Sequence, residues 1–187
     1  MSIRDIFIDT IANDKRLLPR KNKKLKGSFK EVIFGCIDEM QSFSIRCGNT
    51  VETCFVNYLT SKGISLIESP FRHDKPDLYF IYNGQKFYFE MKNNINLDTE
   101  KTISVANKIL RFQEEGAISG CLTFNTLSTS FDTEVIKSLH CKEPLASLLY
   151  GYNDFFNIFG ENLSREEYSE IIAEFNKVWR EKYETVV

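Results

Sequence analysis

Two carboxylates, Asp77 and Glu90, and one ammonium, Lys92, fall within the run KPDLYFIYNGQKFYFEMK, residues 75–92. The run reads as two strands around Asn83-Gly84, the residue pair best suited to the positive φ of a two-residue type I′ turn. That turn pairs Tyr82 with Gln85 and, in unbroken register, Asp77 with Glu90. Facing Cβ atoms in such a ladder lie about 4.5–5.5 Å apart and a two-residue step adds roughly 7 Å. The register therefore gathers Asp77, Glu90 and Lys92 at the open end of the hairpin. Like charges set opposite each other destabilise a strand pair, unless a proton or a cation lies between them. Carboxylate oxygens suit Mg²⁺, which keeps several waters and is completed by substrate phosphates. An ammonium beside it lowers the pKa of an attacking water or neutralises a pentacovalent phosphate. The chemistry is metal-assisted hydrolysis of a phosphodiester. Plainer readings stand beside it: Asp77 after Pro76 begins a strand as a turn residue, and Glu90 with Lys92 forms a solvent-facing charged stripe.

The same residues spell a motif. Pro76-Asp77, twelve residues, then Glu90-Met91-Lys92 resembles the signature of the PD-(D/E)XK nuclease superfamily, which includes many type II restriction endonucleases. The resemblance implies a restriction-endonuclease-like core: a helix, a three-strand meander with the motif on its second and third strands, a crossover helix and a fourth strand. Residues 49–126 carry that order. It further implies Mg²⁺, with Mn²⁺ able to substitute, held by Asp77, Glu90 and the Met91 backbone carbonyl, with Lys92 assisting the water. A helix glutamate often joins such sites as a ligand, and Glu52 matches by position. Glu52 has a second reading, as the N3 partner of an Asn49 N-cap. Asp74 is a spare acid that replaces Asp77 only if the turn has another length. His73 is either a phosphate contact or a solvated loop residue.

Elements must hold these groups in place. Residues 3–13 read as an amphipathic helix capped by Ser2. Ser28-x-x-Glu31 is a capping box that opens a second helix carrying Phe29, Val32, Ile33, Cys36, Ile37 and Met40. A third begins near Asn49 and ends at Gly63. Strands are expected at 64–71, 77–82, 85–92 and 117–126. Between the last two, Thr99–Glu115 is helical with Ile103, Ala106 and Leu110 on its apolar stripe. Helical pieces follow at 133–142 and after Pro144. A long final helix from Ser164, with Ser164-x-x-Glu167 as capping box, buries Tyr168, Ile171, Ile172, Phe175 and Trp179. In the hairpin, Leu78, Phe80, Phe87, Phe89 and Met91 share the core face. The whole is one α/β domain, residues 1–187, whose core (about 49–126) is a mixed sheet flanked by helices, with helical elaborations over 1–48 and 132–187.

Composition agrees with a globular protein, 42% apolar and 13% aromatic, and argues against disorder. No apolar run reaches the roughly 20 residues of a membrane-spanning helix, and acids interrupt the N-terminal stretch where a signal peptide is apolar, so the cytosol is the expected compartment. Five cysteines (36, 47, 54, 121 and 141) show no C-x-x-C spacing, against a disulfide framework or zinc finger. Net charge is −2, but Lys15–Lys30 holds eight bases and no acid. Such a segment is either a phosphate-binding patch or a solvated connector. Lys21, Lys23, Lys24 and Lys26 there, with Asn93 and Asn94 after the catalytic strand and the polar run 125–130, are the candidate DNA contacts.

A stand-alone enzyme of this kind is expected to be a type II site-specific endonuclease acting on double-stranded DNA. It is expected to be a homodimer matched to a palindrome, paired with a cognate methyltransferase. The alternatives are a structure- or damage-directed nuclease (a Holliday-junction resolvase or mismatch nickase) and a non-catalytic DNA-binding module.

Overall fold

A computed structural model describes residues 1–18, 39–72, 74–92, 96–125 and 141–183. The basic segment with Lys21, Lys23, Lys24 and Lys26, the helix expected from Ser28 as far as residue 38, short of its Met40, and His73, Asn93, Asn94 and the stretch 126–140 lie outside the described residues.

The architecture is α/β, with a four-stranded mixed sheet between two layers of helices. Strands β1 (Leu78–Tyr82), β2 (Gln85–Met91), β3 (Ile118–Leu122) and β4 (Leu149–Tyr150) lie in that spatial order. The β1–β2 pair is antiparallel, and β3 and β4 continue parallel to β2. The hairpin register is the one the turn demands. Tyr82 faces Gln85 and Leu78 faces Phe89, while Asn83 and Gly84 take φ of 50° and 78°.

One face carries Leu78, Phe80, Phe87 and Phe89 into the larger core, under helices α1 (Ile3–Asn13), α2 (Glu39–Ser61), α4 (Tyr152–Phe156) and α5 (Arg165–Tyr183). Rings dominate it. Phe55 stacks on Phe156 at 5.4 Å and meets Phe7 edge-on at 5.3 Å. The opposite face carries Tyr79, Tyr88 and Cys121 against Ile109 and Phe112 of α3 (Thr99–Glu114). Here Tyr88 and Phe112 stack almost parallel, 3.8 Å between centroids. Helix ends follow local chemistry. Ser2 and Asp98 cap α1 and α3, Ser164 and Glu167 exchange bonds at the start of α5, and Gly63 and Gly116 take positive φ after α2 and α3. Cys47, Cys54, Cys121 and Cys141 are free thiols, and Cys54 and Cys121 are buried. Among the described residues, no helix is long and apolar enough to cross a membrane.

Several sequence expectations are corrected. The strand expected at 64–71 is a single antiparallel bridge, Leu66 to Phe80, with one further bond from the Ile67 N–H to the Tyr79 carbonyl (2.8 Å). Pro70 has no N–H to give a ladder, and Ser69 Oγ accepts from the Phe71 N–H (3.0 Å), turning the chain away. Helix α2 does not begin at Asn49; it runs unbroken from Glu39. Thr50 and Thr53 bond back to the Arg46 and Asn49 carbonyls, and Thr50 also reaches Asp14 (2.7 Å), so tertiary contacts carry the helix through Gly48-Asn49. On α3 the buried row is Thr102, Ala106, Ile109 and Phe112, whereas Ile103 and Leu110 are exposed. Burying the Phe112 ring gains more than either aliphatic, and turns the helix accordingly. Ile172 is likewise exposed, its place on α5 taken by Val178 beside Ile171 and Phe175. Strand β4 was not expected; it is two residues long and is admitted by Gly120, where a Cβ would stand 2.3 Å from the Tyr150 ring.

Candidate active site

The register places Asp77 immediately before β1 and Glu90 near the end of β2, so the two acids meet at the open end of the hairpin. Asp77 Oδ2 accepts the Met91 backbone N–H at 2.7 Å. Lys92 Nζ donates to Glu90 Oε1 at 2.7 Å and lies 3.9 Å from Asp77 Oδ2, so one ammonium is shared between both acids. Asp77, Glu90 and Lys92 are thus brought together.

Lys108, from α3, joins them. Its ammonium donates to Glu90 Oε2 at 2.7 Å and to the Lys75 carbonyl at 3.3 Å. Tyr88 OH donates to the same Oε2 at 2.9 Å. Sequence reasoning missed Lys108. Its signal was the spacing of Lys101, Lys108 and Arg111, which lines one edge of α3 with cations, the edge beside the apolar row that packs on the sheet.

Glu52 sits on the middle of α2, half-buried. It is close enough that the charge of Asp77 acts on it, but it does not complete a cage. Among the described residues no three His, Cys, Asp or Glu side chains converge as a ready metal site. Its capping role falls away with the longer helix. Asp74 does not replace Asp77. It faces Arg111, whose guanidinium lies 3.0 Å from Oδ2 and 4.1 Å from the centre of the Phe71 ring.

Electrostatics separate the two acids. Burial, then the charge of Glu90, push the Asp77 carboxyl above its ordinary value, and the Met91 N–H and Lys92 offset only part of this. Burial also works upward on Glu90, but Lys92 and Lys108 together outweigh it and hold that carboxyl below its ordinary value. Burial pulls Lys92 down, and Glu90 and Asp77 overrule it, so its ammonium is held above the ordinary value. Lys92 is therefore a fixed positive charge at neutral pH, suited to neutralising an anion rather than to accepting a proton. For Glu52, burial first and Asp77 second raise the carboxyl.

The donor set fits a hard divalent cation. Asp77 remains a half-buried carboxylate whose repulsion from Glu90 is incompletely offset. A pair of acids of which one, Asp77, is partly exposed suits Mg²⁺, whose shell waters and a phosphate complete. Beside them, a cavity of about 530 Å³ opens between Leu66, Phe71, Asp74, Lys75, Pro76 and Tyr79. No protein-family model matches this chain, and no curated protein or solved structure shows significant similarity to it.

Proposed function

We propose that the chain is a Mg²⁺-dependent deoxyribonuclease with a PD-(D/E)XK-type core, hydrolysing phosphodiester bonds of duplex DNA at a specific short sequence. The observation that carries the reading is the meeting of Asp77, Glu90 and Lys92 at one end of the β1–β2 hairpin, within 3.9 Å of a shared ammonium. The element order supports it: the Leu66 bridge, β1, β2, crossover helix α3, and β3 parallel to β2.

Asp77, Glu90 and the Met91 carbonyl would hold the metal, with Glu52 as an outer acid. Bound there, Mg²⁺ would supply Lewis-acid activation of water and phosphate. Lys92 contributes a fixed charge against the phosphate that becomes more anionic as it is attacked. Buried Tyr88 and Phe112 exclude water from the rear of Glu90, which strengthens each of these interactions. Sequence-specific cutting of both strands implies a homodimer and a methyltransferase that protects the host's own sites in the same cytosol.

A second reading, a structure- or damage-directed nuclease, is favoured by the cavity beside Asp77. Its volume suits a nucleotide-sized ligand, and Phe71 and Pro76 give it apolar walls. Digestion of unmethylated phage DNA with Mg²⁺ or EDTA tests both readings. Discrete Mg²⁺-dependent bands are the expected result. A metal-dependent smear or nicking favours the second reading. Retarded DNA without cleavage in Mg²⁺ or Mn²⁺ overturns both in favour of a binding module.

A further inference from the structure

Glu90 has four lone-pair directions on two oxygens, and its partners are distributed unevenly. Oε1 receives Lys92, the ammonium that also faces Asp77. Oε2 receives two donors that the motif does not contain, Tyr88 OH at 2.9 Å and Lys108 Nζ at 2.7 Å. Both donors are anchored. The Tyr88 ring is fully buried and lies flat on Phe112. Lys108 rises from the same helix as Phe112, its ammonium beside the Tyr88 ring at 5.9 Å and bonded also to the Lys75 carbonyl. Burying one carboxylate requires a cation, and Lys92 already provides it. Two further donors converging on the far oxygen do something else: they fix the carboxyl torsion, with Oε1 left on the ammonium that also faces Asp77. The Lys75 bond adds a brace, because Lys75 is two residues before Asp77, and one ammonium thereby ties the segment carrying one acid to the side chain of the other.

We propose that Tyr88 and Lys108 are positioning residues for the cation site, holding Glu90 by Oε2 so that Oε1 and Asp77 face the metal at fixed separation. The inference rests on the divalent-cation reading above. Groups that hydrogen-bond a ligating carboxylate typically govern metal affinity or activity by 10–100-fold.

The decisive variant is Tyr88→Phe, which removes one donor, changes no charge and leaves the stacked ring in place. Mn²⁺ binding to the full chain, followed by calorimetry, is expected to weaken about tenfold. The kcat on duplex DNA falls by a similar factor, with KM and melting temperature unchanged. Lys108→Met lowers kcat with KM unchanged, and Lys108→Arg, which keeps charge and donors, restores most of it. A merely structural pair would shift melting without separating kcat from KM. Wild-type Mn²⁺ affinity and turnover in both Tyr88→Phe and Lys108→Met, with binding lost in Glu90→Gln, overturns the positioning role and leaves the cation site standing. Equal Mn²⁺ affinity in wild type and Glu90→Gln removes the cation site itself, and the positioning role with it.

Discussion

Asp77 and Glu90 share one ammonium yet are shifted in opposite directions, Asp77 up by burial and the charge of Glu90, and Glu90, despite its burial, down by Lys92 and Lys108. The stability of the fold is expected to follow the difference. Asp77 is raised, so its favourable contribution exists below the unfolded carboxyl value of about 3.9 and is lost as pH rises through its folded value. At neutral pH its ionised form therefore costs stability. Asp77→Asn, which keeps an acceptor for the Met91 N–H, is expected to melt higher than wild type at pH 7 and equal to it near pH 3. Glu90 is lowered, so its contribution exists above the unfolded value of about 4.3 and is lost as pH falls through its folded value. Glu90→Gln melts lower at pH 7, because two half-buried ammoniums lose their counter-ion, and the gap closes in acid. Thermal melts from pH 3 to 7 decide; the reverse ordering would refute the assigned electrostatics. Millimolar Mg²⁺ should raise the wild-type midpoint by the binding linkage and leave both variants unmoved, although each cuts no DNA. Glu52 gives a different pattern. Lying within α2 rather than at its start, it caps nothing, so Glu52→Ala is expected to change stability by no more than about 0.5 kcal/mol while lowering cleavage. A larger loss of stability with full cleavage would make it structural. Asp77, Glu90 and Lys92 were legible in the sequence because one turn fixes one register. Lys108 was not, since its reach to Glu90 depends on how α3 rotates about its own axis.

That rotation belongs to the elements, where the sequence was readable in proportion to how local the cause is. The Asn83-Gly84 turn, the Ser2 cap and the Ser164–Glu167 box are encoded within four residues and appear as expected. Helix α2 overrode an apparent start at Asn49 because Thr50 and Asp14 meet across 36 residues. The rotation of α3 was set by Phe112 on Tyr88, contributed by different elements. Strand β4 was hidden because two residues carry no periodicity; only Gly120 marks it, since a glycine inside a strand often signals close approach of another backbone. Gly120→Ala therefore drives a Cβ into the Tyr150 ring and the Leu148 carbonyl, 2.8 Å away. The expected cost is about 1–3 kcal/mol, typical of overpacking, measured by denaturant unfolding. A neutral effect would show that β4 is free to withdraw from β3.

For the whole molecule, the proposed function asks how a chain of net charge −2 would engage a polyanion. Charge must be segregated, and around the site it is. Arg72, Lys75, Lys92, Lys108 and Arg111 surround Asp74, Asp77 and Glu90, with Arg72 and Lys75 exposed. Lys92 and Lys108 are committed to Glu90 and Arg111 to Asp74 and Phe71, which leaves Arg72 and Lys75 as the outward cations among those five. They flank the cavity beside Asp77, where a strand entering the site would bring its phosphates. Losing a contact made to phosphate alone weakens binding to all sequences alike and reduces its salt dependence by about one unit of log–log slope. Arg72→Ala and Lys75→Ala are thus each expected to flatten that slope by about one, measured with the non-cleaving Asp77→Asn background across 50–200 mM salt on cognate and random duplexes. Loss confined to the cognate duplex would instead mean that these side chains read bases. An unchanged slope would move the path of the DNA away from this edge of the sheet, while leaving the chemistry assigned to Asp77, Glu90 and Lys92 to be judged on cleavage alone.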